Sequence, residues 1–330
     1  MSTPAPLLQA FFTDRLIGQR DASPHTIASY RDAICLLLRY AQQRTGKAPH
    51  QLNLDELDAP LIGAFLTHIE AERGASVRTR NARLTAIRSL FGFAAYRHPE
   101  HAAVIQRVLA IPPKRTDRAV VTYLTEPEMH ALLAAPDRST RIGRRDHALL
   151  LLALETGLRV SEITSLTRGA VHLGTGAHVR CHGKGRKERI TPLRRQTRRL
   201  LQAWLTERAG PPSDPLFPGP SGRPLSRDAI RRLVDRHVAT AAQSCPSLTG
   251  KTISLHTLRH SCAMTLRRHG VDAATIALWL GHEDVRTTYG VYMHADLNLK
   301  EKALARTAPP GTPTGRYRPP DPLLEFLESL

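Results

Sequence analysis

The stretch VHLGTGAHVRCHGKGRKERITPL, residues 171–193, interrupts a chain that otherwise shows helical periodicity. Its apolar residues fall in short alternating runs, and glycines separate these runs at positions 174, 176, 183 and 185. Alternation with a period of two between glycine turns is typical of antiparallel strands. The stretch therefore predicts a small three-stranded antiparallel sheet inside a mainly α-helical protein.

Helical patterns occupy the rest of the chain. Ser23-Pro24, Asp58-Ala59-Pro60 and Ser76 have the composition of helix starts, and apolar residues follow each of them every three to four positions. A buried helix should end near Thr156-Gly157, and a new one should open after Arg159. Beyond the sheet we expect helices over residues 197–208 and 226–240, and from 256 onward.

Two proline-containing segments divide the chain of 330 residues, a length that itself favours two domains. Residues 1–110 should form a helical domain, and 111–120 a solvated basic linker that two prolines keep out of a helix. Residues 121–308 should form a second domain that contains the sheet. Residues 309–330 read as a proline-rich linker and a tail ending in PLLEFLESL.

The charge balance indicates a polyanionic partner. Lys plus Arg number 47 against 29 for Asp plus Glu, so the formal net charge is +18. We expect double-stranded DNA, with binding that weakens steeply as salt rises, although ribosomal and membrane-surface proteins can be equally basic. Candidate phosphate contacts lie in an acid-free segment at 76–90, in the linker and after the first strands: Arg78, Arg80, Arg83, Arg88, Lys114, Arg115, Arg186 and Lys187. Residues in a solvated helix face would give the first four the same pattern.

The cysteines and the apolar runs indicate the compartment. Four cysteines lie far apart with no CxxC pair, which argues against a zinc site and fits a reducing environment. The longest strongly apolar run, residues 148–154, is too short to cross a bilayer. We therefore expect a cytoplasmic, nucleoid-associated protein without a membrane partner.

The second half of the chain carries groups suited to breaking a phosphodiester. Arginine can neutralise two phosphate oxygens with its fork of donors, a lysine on a glycine-flanked turn can protonate the leaving oxygen, and a tyrosine can form a covalent intermediate. Histidines can hydrogen-bond the phosphate or move a proton. The candidate catalytic residues are Arg159, Lys184, His256, Arg259, His282 and Tyr292.

The string HTLRH at 256–260 also allows a different interpretation, since two histidines one turn apart can bind zinc. A hydrolytic zinc site needs a third ligand and a catalytic acid, and the second position here is Thr257. We expect a phosphate role for His256, a packing role for His260, and neither a metal nor a cofactor in the reaction.

In their order the motifs resemble those of the tyrosine recombinase, or phage integrase, family, over essentially the whole chain. They are TGLRVSEI at 156–163, GKGRKERITPL at 183–193, HTLRHSCAM at 256–264 and LGHEDVRTT at 281–288, followed by a tyrosine. The resemblance implies a SAM-like helical core-binding domain, an α+β catalytic domain, and active-site roles for the five cationic candidates. Glu162 matches a supporting acid of the family, and one turn from Arg159 it could hold a nearby basic group in place.

The tyrosine is the point at which this chain departs from the family pattern. Relatives such as the Xer recombinases usually carry the nucleophile nine residues after the last histidine, and that position here is Val291. Tyr292 is followed by Met293-His294-Ala295, which is similar to the family's ending, so we expect Tyr292 to be the nucleophile. Tyr289 is the alternative.

The resemblance implies a site-specific recombinase that cuts and rejoins DNA through a 3′-phosphotyrosine, as the integrase or transposase of a mobile element. It further implies a tetramer on DNA with inverted binding sites and a possible accessory or partner recombinase. Because the tyrosine is shifted by one residue, a catalytically impaired DNA-binding protein of the same fold is an alternative interpretation. A type IB topoisomerase uses similar chemistry, but the helical first domain and the short chain argue against it.

Overall fold

The computed structural model describes residues 4–116, 121–182 and 188–281, and its chain separates into two compact units, Met1–Arg118 and Ala119–Leu330. Of the described residues, 66% are helical, and a three-stranded antiparallel sheet accompanies the helices in these ranges. The predicted fold class is confirmed. No helix in these ranges is long and apolar enough to cross a bilayer.

The described residues of the first unit form helices joined by turns and loops, without a strand. Its helices are α1 (Pro4–Ala10, continued as a π-helix over Phe11–Gln19), α2 (Pro24–Thr45), α3 (Ala59–Ala71), α4 (Val77–Arg97) and α5 (Ala102–Ala110), with short 3-10 turns at Pro49–Gln51, Leu54–Glu56 and Pro99–His101.

Side-chain caps start three of these helices where the sequence predicts them. Ser23, Asp58 and Ser76 each accept a hydrogen bond from the backbone N–H three residues further on, at 3.2, 2.9 and 3.2 Å. Such bonds satisfy donors that a helix start leaves unpaired. Phe11, Phe65 and Phe91 are buried in the core that the helices enclose.

The first half of the predicted linker lies against α4. Asn81 pairs with the backbone of Lys114 in both directions, donating from Nδ2 to the carbonyl at 2.7 Å and accepting from the N–H at 3.0 Å. Lys114 Nζ also lies 2.7 Å from Glu70. Residues 112–116 are exposed, as expected for a solvated linker, and side chains of α3 and α4 supply partners for the backbone and charge of Lys114.

The described residues of the second unit contain seven α-helices and three strands. They are α6 (Glu126–Ala134), α7 (Arg141–Thr156), α8 (Val160–Ser165), β1 (Val171–His172), β2 (His178–His182), β3 (Glu188–Pro192), α9 (Arg195–Glu207), α10 (Arg227–Ala242), α11 (Leu255–Arg268) and α12 (Ala273–Leu280).

The three strands pair antiparallel in the order β1-β2-β3, as the sequence predicts. The register sets Val179 opposite Thr191 and Cys181 opposite Arg189. Helix α7 lies in the middle of the unit, where Leu149, Leu150 and Leu152 are fully buried.

A buried acid ties the start of α6 to the loop before α11. Glu128 is 1% exposed and accepts hydrogen bonds from the backbone N–H of Thr125 at 2.8 Å, Ser247 Oγ at 2.7 Å and Lys251 Nζ at 2.7 Å. Burial alone would raise the pKa of Glu128, but the bonds from Lys251, Ser247 and Thr125 outweigh it and lower the pKa from 4.5 to about 2.

This shift predicts an acid-sensitive second unit. Because the folded pKa of Glu128 is depressed, its contribution is complete above the unfolded pKa of 4.5 and is lost as pH falls towards about 2. The contribution should be on the order of 3 kcal/mol in the free energy of unfolding. Trp204 and Trp279, the protein's two tryptophans, lie in the second unit, so their fluorescence follows its unfolding in denaturant. The difference in the free energy of unfolding between wild type and Glu128→Gln should become smaller as pH falls from 6 to 2.5. A gap that does not change over this range would contradict the prediction.

Candidate active site

A sharp turn after α7 places Arg159. Helix α7 ends at Gly157, whose backbone is left-handed, with φ 60° and ψ 30°. A Cβ at this position would lie 2.5 Å from Leu280 Cδ2 and 3.3 Å from Cys262 Sγ, so only glycine fits between α11 and α12. The chain therefore turns tightly, and Arg159 lies at the N-cap position of α8.

Glu162 holds Arg159 by its backbone and its side chain. The carboxylate is 2% exposed, and it accepts from the Arg159 N–H at 2.7 Å and from Arg159 Nη1 at 2.9 Å. Arg159 Nη2 donates to the carbonyl of Gly281 at 2.7 Å. The contact that the sequence suggested between Glu162 and Arg159 is present, and it fixes the guanidinium at the end of α12.

Arg259 reaches the same helix end from α11. It is 3% exposed, and it donates from Nη1 to the carbonyl of Gly157 and from Nη2 to the carbonyl of Leu280, both at 2.6 Å. The last carbonyls of a helix lack intrahelical partners and carry its negative dipole end. The end of α12 therefore gathers both arginines, and Gly281 directly precedes His282 in the chain.

His256 lies on the first turn of α11, three residues before Arg259. Its imidazole is exposed, and its ring centroid lies 4.3 Å from that of His260 in an edge-to-face arrangement. Residues three apart on a helix are neighbours, so His256 and Arg259 lie next to each other on α11.

Several predicted site residues lie outside the described ranges. They are Lys184, Arg186 and Lys187 in the segment between β2 and β3, and His282, Tyr289 and Tyr292 after α12. The structure fixes the two residues that flank the first segment, His182 at the end of β2 and Glu188 at the start of β3.

The arginines of α4 divide between surface and structure. Arg78 is exposed, and Arg83 is half-buried with Nη1 3.2 Å from the carbonyl of Ser29. Arg88 is half-buried and donates to the carbonyl of Leu109 at 2.7 Å.

Arg80 corrects the sequence interpretation. It is 7% exposed and donates from Nη1 to Asn81 Oδ1 and to the carbonyl of Pro112, both at 3.1 Å. A phosphate-facing surface does not include it, because its guanidinium is buried under the first residues of the linker. Among the linker candidates, Lys114 pairs with Glu70 while remaining 56% exposed, and Arg115 is exposed.

Sequence reasoning missed Arg189. Its Nη2 donates to Glu162 Oε2 at 2.7 Å, so the buried carboxylate is shared between two arginines. A signal was present in β3, where the usual alternation is reversed: Arg189 points inward and is 10% exposed, whereas Ile190 is 58% exposed. A cation on the inner face of a strand with an apolar residue outside it marks a place where charge is used.

Comparison with known families gives two matches that together span both units. Residues 122–298 match the phage integrase family, and residues 10–98 match the phage integrase N-terminal SAM-like domain.

Curated relatives agree over nearly the whole chain. A putative integrase/recombinase y4rC of Sinorhizobium fredii is 54% identical over 326 residues, which cover 99% of this chain and 98% of the relative. The tyrosine recombinase XerD of Pseudomonas putida is 32% identical over 296 residues, which cover 88% of this chain and 92% of that protein.

Solved structures share the fold at lower identity. The XerH site-specific recombinase in a post-cleavage complex with a palindromic difH substrate superposes with a TM-score of 0.69 at 23% identity, covering 87% of this chain and 81% of that one. The Tn1549 transposon integrase in complex with transposon right end DNA gives a TM-score of 0.69 at 17% identity, covering 93% of this chain and 100% of that one. With both domains matched and the motif arginines brought together, the chain belongs to the phage integrase family and is a site-specific tyrosine recombinase.

Proposed function

We propose that this protein cuts and rejoins DNA at specific sites through a 3′-phosphotyrosine intermediate that needs neither metal nor ATP. The observation that carries this proposal is the convergence of Arg159 and Arg259 on the last carbonyls of α12, directly before His282. Two arginines that are held at the end of α12, directly before a histidine in the chain, can neutralise the charge of a scissile phosphate.

The reaction would follow the roles of the side chains. The Tyr292 phenolate oxygen attacks phosphorus, the bond to the 5′ oxygen breaks, and Lys184 donates the proton that makes this oxygen a hydroxyl. Histidines 256 and 282 bind the phosphate or accept the tyrosine proton. The phosphotyrosine bond keeps the energy of the diester, so another 5′ hydroxyl can displace the tyrosine without ATP.

The names of the relatives support a proposal for the biological setting. A 54% identical relative bears the name integrase/recombinase, which supports a role in integration or transposition of a mobile element. The XerH structure is bound to a palindromic DNA substrate. A λ integrase structure is a dimer bound to a core site. We propose the same kind of substrate here, double-stranded DNA with inverted binding sites that gather a tetramer at the nucleoid in the cytoplasm. An accessory protein or a partner recombinase could set the direction of the reaction.

The DNA contacts in the first unit would come from its exposed cations. Arg78, Arg83, Lys114 and Arg115 remain candidates, with Arg88 contributing through the part of its side chain that is exposed. In the second unit we propose Arg186 and Lys187 beside Lys184.

A search for detergent-resistant protein–DNA adducts tests the proposal. The wild-type protein is incubated with DNA that flanks its gene, with and without excess chelator, and the covalently attached strands are sequenced. We expect adducts at a defined site in equal yield under both conditions. Adducts that disappear with chelator and return with magnesium or zinc would overturn the metal-free mechanism.

The second candidate function, a DNA-binding protein that has lost the chemistry, is favoured by the one-residue shift between His282 and Tyr292. A misplacement of about an ångström can cost a hundredfold in rate. Tight, site-specific binding of the flanking DNA without any adduct would support this candidate. Relaxation of supercoiled plasmid at low protein concentration would instead indicate a type IB topoisomerase.

A further inference from the structure

Arg189 joins three elements of the candidate active site. It lies on β3, it donates from Nη2 to Glu162 on α8 at 2.7 Å, and it donates from Nη1 to the carbonyl of Trp279 on α12. Its aliphatic part covers the turn after α12, since a Cβ built on Gly281 would lie 3.1 Å from Arg189 Cδ. The strand, the start of α8 and the end of α12 therefore share one buried side chain.

The charges of the cluster show what this contact does. Glu162 Oε1 accepts from Arg159 Nη1, and its Oε2 accepts from both the Arg159 N–H and Arg189 Nη2. With Arg189 present, the two arginines and one buried carboxylate carry a net charge of +1. Without it, Glu162 would neutralise Arg159 completely in a site where charges are poorly screened.

We propose that Arg189 is a positioning residue for strand cleavage. It offsets the negative charge of Glu162, so that the cluster presents a net positive charge to the phosphate, and it holds the turn at 279–281 that precedes His282 in the chain. The inference rests on the proposed function. It assigns Arg189 no contact with DNA.

The variants separate this role from a general structural one. Arg189→Met keeps the aliphatic packing and removes the charge, whereas Arg189→Lys keeps the charge near Glu162 but cannot hold Glu162 and the Trp279 carbonyl together. Arg180→Met is the matched control. Arg180 lies on the neighbouring strand β2, is 56% exposed and pairs with Glu188 at 3.2 Å.

Three versions of the scissile linkage report which group has been disturbed. Ordinary DNA needs both charge neutralisation and a proton donor. A methylphosphonate, in which a methyl replaces one non-bridging oxygen, carries no charge for Arg159 to neutralise. A 5′-bridging phosphorothiolate releases a thiolate, which needs no proton from Lys184. Lys184→Ala serves as the reference for a lost proton donor.

On ordinary DNA we expect Arg189→Met to form the adduct roughly 10- to 100-fold more slowly than wild type, the range typical of losing a residue that orients a functional side chain. DNA affinity should stay within about twofold, because the inference gives Arg189 no contact with DNA. The defect should shrink to about threefold on the methylphosphonate and persist on the phosphorothiolate. Lys184→Ala should show the opposite pattern, and Arg180→Met should follow wild type on all three substrates.

Arg189→Lys should be faster than Arg189→Met even where the two melt at the same temperature, since lysine preserves the charge balance. A defect of Arg189→Met that is rescued by the phosphorothiolate alone would mean that Arg189 acts through the proton donor, which overturns the proposal. An equal defect on all three substrates that follows the melting temperature would also overturn it, in favour of a folding role. Failure of the proposed function is a separate result, because then wild type itself forms no adduct on any substrate and the inference falls with it.

Discussion

Tyr292→Phe is expected to abolish the covalent protein–DNA adduct completely while leaving DNA binding unchanged. The substitution removes one oxygen, the atom proposed to attack phosphorus, and no other group can replace it as nucleophile at that position. The ring and its packing volume remain. The adduct is measured by detergent gel with labelled DNA, and affinity by titration of the same duplex.

Tyr289→Phe is the matched control, because it makes the same change three residues earlier. We expect it to form adducts at the wild-type rate. Loss of the adduct in Tyr289→Phe but not in Tyr292→Phe would move the nucleophile to the position seven residues after His282.

Arg259→Lys is expected to slow adduct formation by about 100- to 1000-fold, the loss typical when a donor to a developing negative charge is removed. Its fork spans two carbonyls from different elements, that of Gly157 after α7 and that of Leu280 at the end of α12. Lysine has a single nitrogen and cannot hold both carbonyls while facing a phosphate. Rates are measured as single-turnover adduct formation at saturating protein.

A control on the same helix separates this effect from a loss of basic charge. Arg268 is exposed near the end of α11, where its guanidinium carbon lies 5.2 Å from the centre of the Tyr123 ring. Arg268→Lys should retain the wild-type rate. Because Arg259 is buried, the melting temperature of Arg259→Lys is measured in parallel. Near-normal cleavage by a folded Arg259→Lys protein would remove Arg259 from the active site.

The placement of the two arginines shows how the sequence and the fold share the construction of the site. The motifs TGLRVSEI and HTLRH identify Arg159, Glu162 and Arg259 as candidates, because their residue types suit a phosphate and their order resembles one family. That these arginines meet at two adjacent carbonyls depends on contacts across 122 and 21 residues of chain. No local pattern specifies which carbonyl a guanidinium reaches.

The arginines of α4 also show that the local sequence does not predict which side chains are buried. A run of basic residues without acids predicts a charged surface, and Arg78 is indeed exposed. Arg80 has the same composition around it, yet it is buried because the chain returns 32 residues later and places the carbonyl of Pro112 on it. A charge pattern identifies candidate surface residues, whereas their burial depends on which segment of the chain packs over them.

The sequence by itself determined the mainly helical class, the three-stranded sheet, the helix starts at Ser23, Asp58 and Ser76, and the end of α7 at Gly157. These features follow from periodicity and capping, which act between residues a few positions apart. Only the tertiary structure decided that Arg189 points inward, where it shares Glu162 with Arg159. It also decided that Arg80 is buried and that residues 111–116 contact α4. Each of these depends on a partner brought from a distant part of the chain, where packing and the need to satisfy buried polar groups outweigh local preference.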